Sequence, residues 1–477
     1  MSSTLTQRAQ DRAHDSSASA PNWGLYIVLL AQLMLVLDSA VMNVGLPHIQ
    51  ADLHFSTGGL SWVLNAYALT FGGLLLLGGR LGDVFGRLRA FWWGLATFTV
   101  FSLVGGLAVD PAMLVIARGL QGAGAAIAAP SVLALLTTSA PNEAARNRAL
   151  GLFTAVSAGG AGLGLLLGGA LTDLVDWRWT LFINIPIGVA VLATVRRYVA
   201  ETPRRPGRFD FVGAISATGA ATVVVWTVIK AQDFGWASVQ TIGGFVVAAA
   251  LLAVLVVTEN RHAHPLLRLE LLKDRRRVAA LVGMAGTYGS MMSIFFLLVL
   301  FFEGTLNFGP MTAGFAFLPM PVTIFAMSRI VPKLVARFGQ QPLILTGAVL
   351  RIVAFGMLLG IHDETSYWGI LAPLWLIAFA SGLSFMPLTS LALQGVEPEH
   401  AGAASGLLQT MQQLGGAIGF AVVASVYSSY GVPGDFMAGG RPGFITALVI
   451  GVITLVAVLT MVRRPVRPAG QAAIAID

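Results

Sequence analysis

The sequence predicts an all-α membrane protein of fourteen spanning helices, arranged as two six-helix repeats with two further helices inserted between them. Three observations predict it. Of the 477 residues, 56% are hydrophobic and only 11% are charged, where a soluble domain carries about 25% charged residues. Apolar runs recur at the length a bilayer requires, roughly 20 residues at 1.5 Å rise each. The second half of the chain also repeats landmarks of the first at a nearly constant offset.

Read by length and hydropathy, the spans cover residues 23–46, 61–79, 91–108, 113–139, 149–172, 180–196, 211–230, 241–258, 278–302, 312–335, 342–360, 367–393, 403–430 and 443–462. The polar first 22 residues, with Arg8, Asp11, Arg12 and Asp15, do not read as a signal peptide, so the first apolar run is expected to stay as the first span. The Ala/Val-rich seventh and eighth runs are separated by a polar stretch at 230–240. Trp23, Trp62, Trp92, Trp93, Trp177, Trp179, Trp236 and Trp368 fall near span ends, as an interfacial aromatic belt requires.

The net charge of +7 raises the question of nucleic acid, and the placement of the charges answers it. With the N-terminus inside and fourteen crossings, 23 of the 29 Lys/Arg fall on cytoplasmic segments. Arg178, Lys230 and Arg441 fall outside, and Arg118, Arg329 and Arg351 lie within spans. That is the positive-inside asymmetry, so the clusters at 204–208 and 273–277 read as topology determinants in contact with membrane lipid rather than as a nucleic-acid surface. An even number of spans puts both termini, including Arg463, Arg464 and Arg467, in the cytoplasm of a cell-membrane protein.

The repeat fixes the organisation. The nine residues from Gly79 to Arg87, shifted by 253, meet those from Pro332 to Gln340, with a basic residue, Leu, Phe and Gly in register. The fifth and thirteenth spans align at a shift of 255, pairing Gly151 with Gly406, Gly160 with Gly415 and Gly164 with Gly419. The expected division is a cytoplasmic tail 1–22, a six-helix bundle 23–204, an insert 205–275 of two helices and a cytoplasmic loop, a second six-helix bundle 276–465, and a tail 466–477. Internal repeats of this kind are common in secondary transporters, with the substrate site at the repeat interface.

Asp38 is the one acidic residue well inside an apolar run. A carboxylate there faces a cavity, pairs, or binds protons. Burial favours its neutral form and a nearby cation its charged form, so a group poised between them can load and release H⁺. Arg118 is the natural partner. Counting from the far ends of their spans at 1.5 Å per residue, Asp38 lies about 13 Å and Arg118 about 10 Å deep. The plainer reading is a fixed structural ion pair. Gly79, Arg80, Gly82, Asp83, Gly86 and Arg87 read as a tight turn after the second span. Asp83 there favours the positive end of the third helix, or pairs with Arg87 or a neighbouring helix end. Gly160, Gly164 and Gly168, spaced by four with Gly169 beside them, permit close helix contact. Glu303 ends the ninth span as a candidate proton-entry group or a solvated end. Arg351 lies within the eleventh span with no acidic partner at its depth, and reads as structural or lipid-facing.

With Leu37-Asp38, Asn43 and Leu46-Pro47 in the first span, the 79–89 stretch, Arg118-Gly119-Leu120-Gln121-Gly122 in the fourth, the Gly-rich fifth, Trp177-Arg178-Trp179 with Asn184-Ile185-Pro186 entering the sixth, and Gly402-Ala403-Ala404-Ser405-Gly406 opening the thirteenth, the chain resembles the fourteen-helix drug:proton antiporters of the major facilitator superfamily. The resemblance covers residues 25–465. It implies the major facilitator fold and proton-coupled multidrug efflux by alternating access, with export of small amphipathic or hydrophobic compounds such as drugs, antibiotics or secondary metabolites. It links Arg118 to proton coupling and makes the 79–89 segment a gate. It places Asn43, Tyr67, Gln121, Asn184, Phe385, Gln409, Gln412 and Gln413 on helices around a central substrate cavity, where helix packing is the alternative for each. Leu165 stands where the family usually has proline after the glycine, and this keeps open a proton-coupled importer or a narrow exporter of one natural metabolite.

Other chemistries lack their residues. No cysteine occurs, which excludes disulfides and thiolate metal sites. The seven histidines form no metal-ligand spacing with carboxylates. The phosphate-loop pattern is absent, so ATP hydrolysis has no support, and no nucleophile–base set or sizeable soluble domain suggests an enzyme or sensor. The partners expected are a small-molecule substrate, protons and lipid, with no metal, no cofactor and no inferable partner protein, in a monomer.

Overall fold

The computed structural model describes residues 23–55, 60, 62–140, 142–202, 211–261, 272–362, 364–397, 400–432 and 435–462. The tail 1–22, the cluster at 204–208, His262, His264 and the terminal arginines lie outside them. The described residues are helical almost throughout. The helices are α1 (Trp23–Leu53), α2 (Trp62–Phe85), α3 (Arg87–Gly106), α4 (Pro111–Thr138), α5 (Glu143–Leu174), the single turn α6 (Trp179–Phe182), α7 (Asn184–Tyr198), α8 (Phe211–Phe234), α9 (Val239–Arg261), α10 (Arg275–Leu300), α11 (Pro310–Ala316), α12 (Pro319–Phe338), α13 (Gln340–Leu358), α14 (Tyr367–Ala392), α15 (Ala401–Tyr430) and α16 (Phe436–Val462). Among the described residues thirteen spans are long and apolar enough to cross a membrane, α6 with α7 and α11 with α12 each counting as one, where fourteen were expected; in α8 the apolar run, Ile215–Val228, is shorter.

Side chains start these helices where the sequence offers a cap. Asp110 accepts from Met113 N at 2.9 Å with Pro111 at the first helical position. Asn142 accepts from Ala145 N at 2.8 Å, and Asp274 from Arg276 N at 2.9 Å. Each bond satisfies one donor that the first turn leaves orphaned. Several expected boundaries move. Helix α2 runs on to Phe85, and α3 begins at Arg87, so the expected turn at 79–89 is the single residue Gly86. Its φ of +105° is a conformation that favours glycine. Gly79 and Gly82 are helical instead. The tenth span is broken into α11 and α12 just before Pro319, and the ninth ends in a π-turn, Phe301–Thr305.

Helices α1–α7 pack among themselves, as do α10–α16. Gly339, 253 residues after Gly86, is the single-residue break between α12 and α13, with φ +80°. The pairs α1–α5 and α10–α15 both close on glycine: Gly164 lies against Leu37 and Ala40, and Gly419 against Gly289. Two seams join the groups, α5 with α12 and α2 with α15. Gly151 lies against Ser328 in one, and Gly406 against the Leu75 carbonyl in the other. Helix α8 lies across the second seam, touching both α2 and α15. Gly72 of α2 meets Val225 of α8 on one side and Gln413 of α15 on the other.

Candidate functional site

The end of the bundle where α1 begins is called the starting face, and the opposite end the far face. Between them Asp38 is fully buried. Its Oδ2 accepts from the Arg118 guanidinium at 2.6 Å, and its Oδ1 accepts from Asn184 Nδ2 at 2.8 Å and Gln121 Nε2 at 3.2 Å. One carboxylate therefore ties together α1, α4 and α7. Gln121 also donates to Ser102 Oγ of α3 at 2.7 Å and accepts from Arg118 at 3.0 Å. The arginine is held further by the Val63 carbonyl at 3.2 Å and lies over the Tyr67 ring at 4.5 Å. A buried charge is tolerable only when paired and hydrogen-bonded, and both charges here are.

Glycine places α1 for this purpose. On α5, Gly160 faces Leu33 and Val36, Gly164 faces Leu37 and Ala40, and Gly168 lies against the Val41 backbone, with Gly169 buried next to it. A side chain at Gly164 or Gly168 would push away the helix turn that carries Asp38.

The residues expected around one cavity separate. Tyr67, Gln121 and Asn184 belong to the Asp38 cluster. Phe385 and the three glutamines lie in the other group: Phe385 meets Tyr288 edge-on at 5.9 Å, Gln409 is buried on α15, Gln412 is half-buried there, and Gln413 abuts Gly72. Asn43 is in α1, with its side chain outside the described residues. Glu303 is exposed in the π-turn.

A second buried cluster joins the groups at the starting face. Asp83 Oδ1 accepts from Gly402 N at 2.9 Å and Oδ2 from Ala403 N at 2.8 Å. Arg87 donates to Asp83 Oδ1 at 3.1 Å. The carboxylate thus caps the positive start of α15, not that of α3, its nearest neighbour in sequence. The start of α3 is capped by Glu201, which accepts from Leu88 N at 2.9 Å and Arg89 N at 3.2 Å. Arg80 is buried in α2 near this joint. A methyl group on Gly79 would sit 2.5 Å from the Gly402 oxygen, and one on Gly402 would strike Asp83. A parallel link joins α5 to α14, where Arg146 donates to the Ser390 carbonyl at 3.3 Å and Ser390 Oγ to Asn147 at 3.4 Å.

At the far face Asp52 Oδ2 accepts from Trp177 Nε1 at 3.1 Å and Arg178 at 2.7 Å. These two bonds, the tryptophan's first, hold its carboxyl below the ordinary carboxylate range. Trp177 is consequently a core residue and leaves the expected aromatic belt, whereas Trp23, Trp93, Trp179 and Trp368 are exposed. Arg351 is buried and not lipid-facing: it donates to Thr287 at 2.9 Å and Ser384 at 3.4 Å. Ser102, Glu201, Arg146 and Ser390 were not singled out by sequence. Only Glu201, an acid just past the sixth span, carried a signal, since helix starts attract carboxylates.

A family model described as Major Facilitator Superfamily matches residues 28–420. The chain is 37% identical over 477 residues to a cephamycin export protein of Amycolatopsis lactamdurans, covering 98% of this chain and 96% of that one. It is 36% identical to a puromycin resistance protein of Streptomyces alboniger, covering 92% and 90%, and 31% identical to a lincomycin resistance protein of Streptomyces lincolnensis, covering 91% and 90%. Among solved structures, a human organic anion transporter superposes with a TM-score of 0.67 at 15% identity, covering 92% of this chain and 100% of that one. A proton:xylose symporter superposes at 0.65 and 14%, covering 92% and 95%.

Proposed function

Because the chain belongs to the major facilitator superfamily, we propose that it is a proton-coupled secondary transporter of the cell membrane that exports small amphipathic or hydrophobic compounds, antibiotics among them, by alternating access. The export and resistance functions named for its relatives support the substrate class. The observation that carries the coupling is the buried carboxylate shared by Arg118, Asn184 and Gln121. Protonation of Asp38 removes the charge that holds all three, so α1 is released from α4 and α7 as H⁺ binds. The freed guanidinium is then a buried cation without its counter-ion, a state that favours opening to water. Deprotonation re-forms the clasp.

The starting face is read as cytoplasmic from the basic segments, with both termini there. The Asp83 joint then closes the cytoplasmic end in the conformation described. Helix α8, 24 residues long, is read as the fourteenth crossing, since ~36 Å of helix spans a ~30 Å core. Two six-helix units, 23–204 and 276–465, with the insert 205–275 and tails 1–22 and 466–477, are supported by the paired glycine breaks. The relatives named for single antibiotics favour a second reading, export of one natural product.

Inside-out vesicles test both readings. Adding a transported compound to energised vesicles should release protons from the lumen, and Asp38→Asn should abolish that release while the protein still inserts. Normal coupling in Asp38→Asn would remove the carboxylate from the mechanism. A response to one compound class alone would select the narrow exporter.

A further inference from the structure

The two seams are related by the internal repeat, but their outer faces differ in chemistry. On α2, Gly72, Gly73 and Leu76 face the insert: Gly73 lies against Thr222, Gly72 against Val225, and Leu76 packs on Ala217 and Leu255. Shifted by 253, these positions are Phe325, Ala326 and Arg329 on α12. All three are exposed, and among the described residues no helix of the insert packs on α12 as α8 does on α2.

The same face continues as a basic stripe. Arg329, Lys333 and Arg337 are spaced by four, and each is exposed, while Ile324, Met327, Ser328, Val331 and Val335 are buried on the opposite side. Among the described residues none of the three cations makes an ion pair. A cation on the outer side of a spanning helix is costly unless it meets an anion or snorkels to the interface. Above the stripe, between α5 and α12, lies a groove of about 190 Å³ whose lining, including Gly159, Leu163, Pro321, Val322 and Phe325, is wholly apolar. The Arg329 guanidinium lies 5.5 Å from the Phe325 ring, at the junction of stripe and groove. From Arg337 to Phe325 the helix rises about 18 Å, close to half of a ~30 Å hydrocarbon core.

We propose that this face binds an anionic phospholipid of the cytoplasmic leaflet, an assignment of leaflet that rests on the orientation read above. Its phosphate pairs with Lys333 and Arg337, Arg329 donates to the ester region one turn deeper, and an acyl chain fills the groove beside Phe325. The lipid occupies at this seam the place that α8 holds at the other. Anionic lipid of that leaflet meets clustered Lys and Arg favourably, with about fivefold in occupancy for each charge.

Native mass spectrometry of the full-length protein, released from nanodiscs of mixed phosphatidylglycerol and phosphatidylethanolamine, tests this without any transport measurement. The wild type should retain phosphatidylglycerol preferentially. The variant Arg329→Gln/Lys333→Gln/Arg337→Gln should lose that preference, with a fall on the order of a hundredfold. Gly159→Phe, at a position with no neighbour within 4 Å of an added Cβ, keeps the charges but fills the groove and should also displace the lipid. The control Arg196→Gln/Arg197→Gln, exposed at the end of α7 on the same face of the bundle, should retain it, and all variants should keep the wild-type melting temperature. Equal retention of the two lipids by the wild type, undiminished retention in the triple or Gly159→Phe variant, or equal loss in the control would overturn the proposal.

Discussion

Each group of helices buries an arginine within a span, Arg118 in one and Arg351 in the other, and the two are satisfied differently. Arg118 shares a carboxylate with two amides, so its charge is cancelled by a neighbour. Arg351 is held by the hydroxyls of Thr287 and Ser384, neither of which titrates in the working range. The seams differ likewise: α8 covers one, while the other presents bare side chains. The lesson is that a duplicated frame need not carry duplicated chemistry. The first group pairs its buried cation with a carboxylate, and the second holds its own with neutral hydroxyls.

The largest effect should come from breaking the arginine contrast. Arg118→Met strands a buried carboxylate and should cost about 3–5 kcal/mol, whereas Arg351→Met removes a buried cation that has no counter-ion among the described residues and should cost about 1 kcal/mol or less. Denaturant unfolding in detergent would measure both, and equal costs would erase the distinction. Next come the seams. Gly402→Val forces a side chain into Asp83 and should cost about 1–3 kcal/mol along with closure of the starting face, while Gly159→Val should stay within about 0.5 kcal/mol. Because the chain has no cysteine, labelling of single introduced cysteines reads that closure directly. Asp83→Asn keeps the shape but weakens the charge-assisted bonds to α15, at about 1–2 kcal/mol. The equivalent residue in the other group, Ala336, carries no such bond, so Ala336→Asn should be silent.

The smallest effect is at the far face. Asp52 has its folded-state pKa below the unfolded value, so its contribution is present above the ordinary carboxylate range and is lost as pH falls through the lowered value. The pair is half-exposed, which limits it to about 1 kcal/mol or less. A melting-temperature profile of Asp52→Asn should converge with wild type only at strongly acid pH.

The helices, their alternation and the pairing of Asp38 with Arg118 were legible in sequence, because depth follows from counting residues back to a helix end. Rotation about the helix axis was not. These helices are apolar nearly all round, so no stripe says which neighbour a side chain meets. That is why Asn184 and Gln121 were expected as cavity residues, when they grip the carboxylate itself. It also explains why Trp177 reads from sequence as a membrane-surface residue although it is buried. Gly79 and Gly82 were read as turn formers because glycine permits turns. Gly79 instead lets two backbones touch across chain positions more than 300 residues apart, a purpose only the folded neighbour discloses.

One residue, Gly86, is all that separates α2 from α3. A joint that short keeps the end of α2 beside the start of α3, where Arg87 of α3 donates to Asp83 of α2. Helix α3 runs from this joint to Ser102, whose hydroxyl touches the amide of Gln121. Gly339 joins α12 to α13 in the same way, and α13 carries Arg351. The Asp83 joint and the Asp38 cluster are thus linked along one helix, α3, with Arg87 at one of its ends and Ser102 near the other.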